Sequence, residues 1–174
     1  MSNTDNKKWI LAVDPGSEKV GYAVVNLDLT RGDIGIGYLE DMHRVFARYC
    51  RDTSNPPQFI VMGNGTKNAI LCKLFNSLEL DISIKLGEER NTTYLARSRY
   101  FQDNPPKGFW KLIPIGMQFP PRPIDDYAAL LIGENYIKSK NLQVTEQEAE
   151  QKLERKPEMQ SASEVKPETD KPEE

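Results

Sequence analysis

The chain has 174 residues, 38% hydrophobic and 28% charged, with 23 Lys and Arg against 26 Asp and Glu, a formal net charge of −3. That length suits one domain, or one domain and a tail, and excludes a large two-lobed enzyme. The near-balanced charge excludes a polybasic, histone-like binder, and the absence of any run of about 18 apolar residues excludes a membrane-spanning helix.

Read in chain order, Trp9–Val13 is an apolar strand, WILAV, ended by the turn Asp14-Pro15-Gly16, and Val20–Leu27 returns as its hairpin partner. Arg31–Ile36 is a third strand. Tyr38–Cys50 places Met42, Val45, Phe46 and Tyr49 on one helical face and stops at Asn55-Pro56-Pro57. Gln58–Met62 is a short buried strand. After the turn Gly63-Asn64-Gly65-Thr66, with Thr66 as the cap, a helix covers Lys67–Leu78. Asp81–Leu86 is the next strand, and a helix runs from near Thr92 to before Pro105. Phe109–Met117 is apolar but broken by Pro114 and Gly116, so it is irregular or a short edge piece. Ile124–Ile137 is an amphipathic helix.

Hairpin strands followed by alternating strands and helices describe an α/β fold, a mixed sheet with helices packed on it. The charge divides unevenly. Residues 1–142 carry 18 basic and 16 acidic groups, whereas 143–174 carry five and ten, no aromatic, and the prolines Pro157, Pro167 and Pro172. The expected organisation is therefore a folded domain over 8–142 and a disordered acidic tail over 143–174, which lacks the apolar surface to offset the entropy of ordering it.

Cys50 and Cys72 have no paired-motif spacing, and Met1–Lys8 is polar rather than a secretory leader, so a cytoplasmic protein with reduced thiols is expected. One histidine, His43, and two scattered cysteines do not make a zinc site. Carboxylates are better placed. Asp14 leaves the first strand, Glu88 and Glu89 follow the strand ISIKL across Gly87, and Asp125 and Asp126 open the last helix. Each has an ordinary reading as turn former, dipole partner or N-cap. Together, outside the carboxyl ends of strands, they form an oxygen-rich cluster of the kind that holds Mg²⁺ or Mn²⁺.

Three segments carry a resemblance. Val13-Asp14-Pro15-Gly16-Ser17-Glu18-Lys19-Val20-Gly21-Tyr22-Ala23-Val24 resembles the opening of RuvC/RNase H-like nucleases. Glu88-Glu89-Arg90-Asn91-Thr92-Thr93, with Ala96 one turn on, is similar to the acidic-Glu-Arg-x-Ser/Thr-Thr motif of the YqgF family. Ile124-Asp125-Asp126-Tyr127-Ala128-Ala129-Leu130-Leu131-Ile132 resembles that family's last motif. The matches fall in family order between Ile10 and about Ile137. The resemblance implies an RNase H-like five-stranded mixed sheet flanked by helices and a Mg²⁺- or Mn²⁺-dependent nuclease. Family members are associated with processing of the small-subunit ribosomal RNA precursor and were earlier assigned as Holliday junction resolvases.

Carried across, Asp14, Glu89 and Asp125 are the catalytic, metal-binding carboxylates, with Glu88 and Asp126 beside them. Arg90 faces substrate phosphate. Arg97, Arg99 and Lys67, with Lys111 and Arg122 from the loop Asn104–Pro123, extend the nucleic-acid surface. Phe109 and Trp110 either stack on bases or cover the core. The sequence departs from the family at Met62-Gly63-Asn64-Gly65, where Gly-Leu-Pro is usual, and RuvC resolvases carry a carboxylate in that strand. The expected partner is structured rRNA precursor or branched DNA, without a membrane, and the chain is monomeric or homodimeric. The competing readings are a catalytically inactive ribosome-assembly or nucleic-acid-binding module on the same fold, and a Holliday junction resolvase. An actin-like kinase needs a second lobe that about 135 ordered residues do not supply.

Overall fold

A computed structural model of the chain describes residues 8–51, 53–65, 67–88 and 92–154, the side chains of 92–93 and 144–154 excepted. Five strands form one sheet: β1 (Trp9–Asp14), β2 (Lys19–Asn26), β3 (Arg31–Tyr38), β4 (Ile60–Gly63) and β5 (Ile84–Gly87). Their spatial order is β3-β2-β1-β4-β5. β1, β2 and β3 pair antiparallel through tight turns, whereas β4 and β5 join parallel to β1 after helical crossovers. The helices are α1 (Met42–Phe46), α2 (Asn68–Asn76), α3 (Thr92–Asp103) and α4 (Asp125–Glu154). This is the mixed five-stranded α/β sheet flanked by helices that the sequence leads one to expect.

Alternation along the strands splits the interior into two cores. Trp9, Leu11 and Val13 of β1, with Ile60 and Met62 of β4, face α1 and α2, where Phe46 and Phe75 meet edge to face at 5.4 Å between ring centroids. Ile10 and Ala12 of β1, Ala23 and Val25 of β2, and Val61 of β4 face α3 and the first turns of α4, among them Tyr100, Leu130 and Ile132. β1 is central and buried on both faces, which is why its apolar run is unbroken until Asp14.

Several elements differ from the sequence expectation. The helix expected over Tyr38–Cys50 is a 3₁₀ turn over Leu39–Asp41, the short α1, and a wide π turn over Ala47–Arg51. Met42, Phe46 and Cys50, spaced by four, are all buried, and a wider turn suits that spacing. Phe109–Met117, expected to be irregular or a short edge piece, is the former, two 3₁₀ turns over Gly108–Leu112 and Ile115–Met117. Thr66 lies outside the described residues.

α4 continues to Glu154, twelve residues into the segment expected to be disordered. The reason is local: Gln143–Glu154 is rich in Glu, Gln, Ala, Leu and Lys, strong helix formers, and its prolines come only later. The rest of that segment lies outside the described residues. By compactness the chain divides into Met1–Lys138 and Ser139–Glu174. Among the described residues no helix is long and apolar enough to cross a membrane.

Candidate functional site

The carboxyl ends of β1, β4 and β5 lie along one edge of the sheet, because these strands run parallel. Asp14 closes β1 there. Since Ile10 and Ala12 face α4, strand alternation puts Asp14 on that same face. Across the hairpin Asp14 pairs with Gly21. Asp125 begins α4 directly above: a Cβ built at Gly21 would lie 1.9 Å from the Asp125 carbonyl oxygen and 2.8 Å from the Asp126 amide nitrogen. Only glycine lets the strand run this close to the helix start. A Cβ at Gly16, in the β1–β2 turn, would lie 3.6 Å from Asp125 Oδ1, so the carboxylate of Asp125 leans over the loop that follows Asp14. Two residues 111 apart in sequence are thereby held at one corner, both half-buried.

Gly87 and Gly133 extend the same close approach. A Cβ at Gly87 would meet Ile132 Cγ2 at 2.6 Å and Val61 Cγ1 at 2.7 Å, and one at Gly133 would meet Ala12 and Val25 at 2.8 Å. The helix therefore lies flat against β1, β2 and β5, which fixes where its first turn falls. Sequence reading found the carboxylates but not these glycines. Their signal was the spacing of Gly16 and Gly21 around the hairpin turn.

Glu88 is exposed and follows β5 immediately, two strands from Asp14, about 10 Å at strand spacing. Glu89 and Arg90 lie outside the described residues. Among the described residues no group of three His, Cys, Asp or Glu is poised to hold a metal. The donors at the Asp14–Asp125 corner are carboxylate oxygens. His43 is exposed on α1, its Nδ1 2.7 Å from the Glu40 carbonyl, and Cys50 and Cys72 belong to the opposite core. Burial pushes the Cys50 thiol up to about 12.

Asp126 is differently placed from Asp125. It is 3% exposed, and both its oxygens accept from Arg122: Nη1 at 3.1 Å and Nη2 at 2.9 Å. Nη1 also donates to the Pro123 carbonyl at 2.7 Å, and the Tyr127 amide donates to Asp126 at 3.0 Å. The pair pins the proline-rich approach to the start of α4, and the hydrogen bond that Arg122 donates to Asp126 raises the Arg122 pKa above its ordinary value. Next along the helix, the Tyr127 hydroxyl donates to Asp103 at 3.2 Å and accepts from Asn104 at 3.2 Å, and Asp103 also pairs with Arg31.

The other basic residues named from sequence are spread out. Lys67 sits just beyond the carboxyl end of β4, at the edge that carries Asp14; Asn68 Nδ2 donates to the Gly63 carbonyl there at 2.8 Å. Arg99 pairs at 3.6 Å with the buried Glu134, which also meets Lys138 at 3.4 Å. Arg97 stacks over Phe119, 4.5 Å from the ring centroid. Lys111 is exposed in the loop between α3 and α4. Phe109 and Trp110, 73% and 60% exposed, do not cover the core. The loop is shaped instead by the buried Gln118, whose Nε2 donates to the carbonyls of Trp110 at 2.9 Å and Ile113 at 2.6 Å. Gly108, at φ 59°, turns the chain into it through a conformation that L side chains rarely adopt.

No protein-family model matches the chain, and no curated protein does. Among solved structures, a Thermus thermophilus RuvC structure is 15% identical over 72% of this chain and 90% of its own, with a TM-score of 0.38. A ROK family transcriptional regulator, a homologue of the E. coli MLC protein, is 11% identical over 56% of this chain, TM-score 0.37. A ROK family protein from Streptococcus pneumoniae TIGR4 in complex with sucrose is 16% identical over 56% of this chain, TM-score 0.33. This chain spans only 32% and 39% of the two ROK chains. Likenesses this distant carry no function across, so the functional reading rests on the residues themselves.

Proposed function

We propose that the chain is a divalent-cation-dependent nuclease of the RuvC/RNase H-like kind, acting on structured nucleic acid, with ribosomal RNA precursor as the expected substrate. The observation that carries this reading is the corner at which Asp14 and Asp125 share one face of the sheet, with Gly21 and Gly16 permitting the approach. Two aspartates at a strand end and a helix start suit Mg²⁺ or Mn²⁺, which take one or two protein carboxylates and keep waters for substrate. The donor chemistry therefore fits a hard cation: Asp14 and Asp125 would hold it, joined by Glu89, two residues past Gly87. When bound, such a cation supplies Lewis-acid neutralisation of phosphate charge and activation of water.

The chain's own residues supply the rest. Asp14 and Asp125 would fix the position of the cation, since two carboxylates by themselves repel a phosphate. Arg122 holds Asp126 and so fixes the proline-rich approach to the first turn of α4. Its charge is engaged there, and that of Arg99 at Glu134, so we assign both to positioning rather than to phosphate contact. Arg90, Lys67, Arg97 and Lys111 are assigned to the backbone of the substrate, where electrostatic contacts give salt-sensitive binding.

A second reading, nucleic-acid binding without cleavage, is favoured by one observation: β4 ends at Gly63 with no carboxylate of its own. The experiment that separates them is cleavage of a structured RNA and a four-way DNA junction by the purified chain in Mg²⁺ or Mn²⁺, beside calorimetric Mn²⁺ titration. Cation-dependent cleavage lost in Asp14→Asn supports the nuclease. Binding without cleavage or a cation site supports the module.

A further inference from the structure

Beside the α3 end of the molecule lies a cleft of about 430 Å³, and its chemistry differs from that of the Asp14 corner. Four aromatic side chains, Tyr100, Phe101, Trp110 and Phe119, and two prolines, Pro106 and Pro121, wall it. Trp110 and Phe119 are 60% and 74% exposed, and Arg97 covers one face of the Phe119 ring. The volume falls within the range of small-ligand pockets, about 300–1,000 Å³, which admits a single planar group and its attached sugar but not a helix.

Asp103 and Asp126, at the margin of the cleft, are each paired with an arginine, so the charge left over there is positive. Arg31, Arg44, Arg48, Arg99 and Arg122 each lie within ion-pair reach of a carboxylate. Arg97 instead lies over the Phe119 ring, and among the described residues neither it nor Lys107 and Lys111 has a carboxylate partner. From Asn104 to Ile124 the chain has three basic residues and no acidic one. An apolar peptide or a second copy of the chain would meet the aromatic walls but leave these cations uncompensated. A nucleotide meets both, by stacking its base on the rings and placing its phosphates on the cations.

We infer that this cleft receives one unpaired base of a nucleic-acid strand, stacked on Trp110 and Phe119, with the flanking phosphates on Lys107, Lys111 and Arg97. The inference deepens the nuclease reading and rests on its nucleic-acid part: the substrate class is structured nucleic acid that presents a splayed-out nucleotide beside the cut. The position supports this. Pro121 lines the cleft and Asp125 is four residues on, a reach of at most about 14 Å along the chain. Duplex alone has no free base to offer, so the cleft selects loops, bulges or single strands.

The test uses the full chain in EDTA, so that binding is read without cleavage. The probe is a short single strand carrying 2-aminopurine, made as RNA and as DNA, with the same sequence as a blunt duplex for comparison. The expected result is fluorescence quenching with the single strand and not the duplex. Trp110→Ala is expected to weaken binding on the order of tenfold to a hundredfold, with Trp110→Phe retaining most of it. Phe119→Ala gives a second, independent loss. Lys111→Gln is expected to reduce the slope of log affinity against log salt by about one. The RNA and DNA arms distinguish the two sources of the base. Equal quenching by wild type and both aromatic variants overturns the inference, as does preference for the blunt duplex. A Trp110→Ala protein that only changes from dimer to monomer, with strand binding intact, overturns it in favour of a self-interface. The binding is read in EDTA, without the cation, so loss of the cleavage reading alone leaves the cleft standing.

Discussion

Replacing Gly21 with alanine adds one methyl group where β2 passes beneath the first turn of α4. Built on the present backbone, that carbon falls 1.9 Å from the Asp125 carbonyl oxygen and 2.2 Å from its carbonyl carbon, against an ordinary contact of 3.4–4 Å. Relief requires the two backbones to separate by about 1.5 Å, and β2 is held by strand pairing on both sides, so the helix start is the part that yields. Overpacking of this kind costs about 1–3 kcal/mol, offset by roughly 0.5–1 kcal/mol from alanine's smaller conformational entropy. The net loss, about 0–2.5 kcal/mol, lowers Tm by at most roughly 10 °C for a chain of this size. The larger effect is on the site. Metal ligation tolerates displacements of about 0.2 Å, and a shift of about 1 Å can cost a hundredfold in rate. Gly21→Ala is therefore expected to remain folded by circular dichroism, to lose Mn²⁺ affinity in calorimetry, and to lose cleavage by about two orders of magnitude. A folded variant with unchanged Tm and unchanged Mn²⁺ binding would refute the argument that glycine at this position seats Asp125 beside Asp14.

Asp14→Asn removes one ligand charge without changing shape, so cation-dependent cleavage should vanish while Tm stays within a few degrees; undiminished cleavage would remove Asp14 from the site. Arg122→Ala leaves the buried Asp126 carboxylate uncompensated, and because Arg122 itself is partly exposed the expected loss is about 1–3 kcal/mol by urea titration rather than the full cost of a buried pair. Arg122→Ala combined with Asp126→Asn should recover part of that loss, as a double-mutant cycle would show. Alkaline pH should destabilise the protein. The Cys50 thiol is pushed up to about 12 by burial, and Tyr49 to about 12 by burial and its hydrogen bond to Asp33. The unfolded chain therefore releases these protons first, and stability is full below pH 9 and falls between about pH 9 and 12. Tyr49→Phe should flatten the fall above pH 10 in a Tm-versus-pH series.

Much of the fold was legible because it is written in short-range patterns. The unbroken run from Trp9 to Val13 reads as a strand, and Asp14-Pro15-Gly16 as the turn that ends it. Alternation and helical spacing then placed the remaining strands and helices to within a few residues. Two local points came only from the structure. The segment after Gln143 was judged by its charge and prolines, whereas its first twelve residues are good helix formers that extend α4. Phe109 and Trp110 suit either a stacking surface or a core by their letters, and the structure leaves both exposed in a loop shaped by the Gln118 hydrogen bonds.

The sequence by itself determined the mixed α/β sheet and the list of strand-end and helix-start carboxylates, since both follow from periodicity and position. Only the tertiary structure decided which of those carboxylates meet. Adjacent Asp125 and Asp126 are indistinguishable as letters, but one helical step apart they face different surroundings. Asp125 leans over the Asp14 loop, and Asp126 turns inward to Arg122. That separation depends on how closely α4 lies on the sheet, and the closeness is set by Gly21, Gly87 and Gly133 through the absence of a side chain, which no local propensity records.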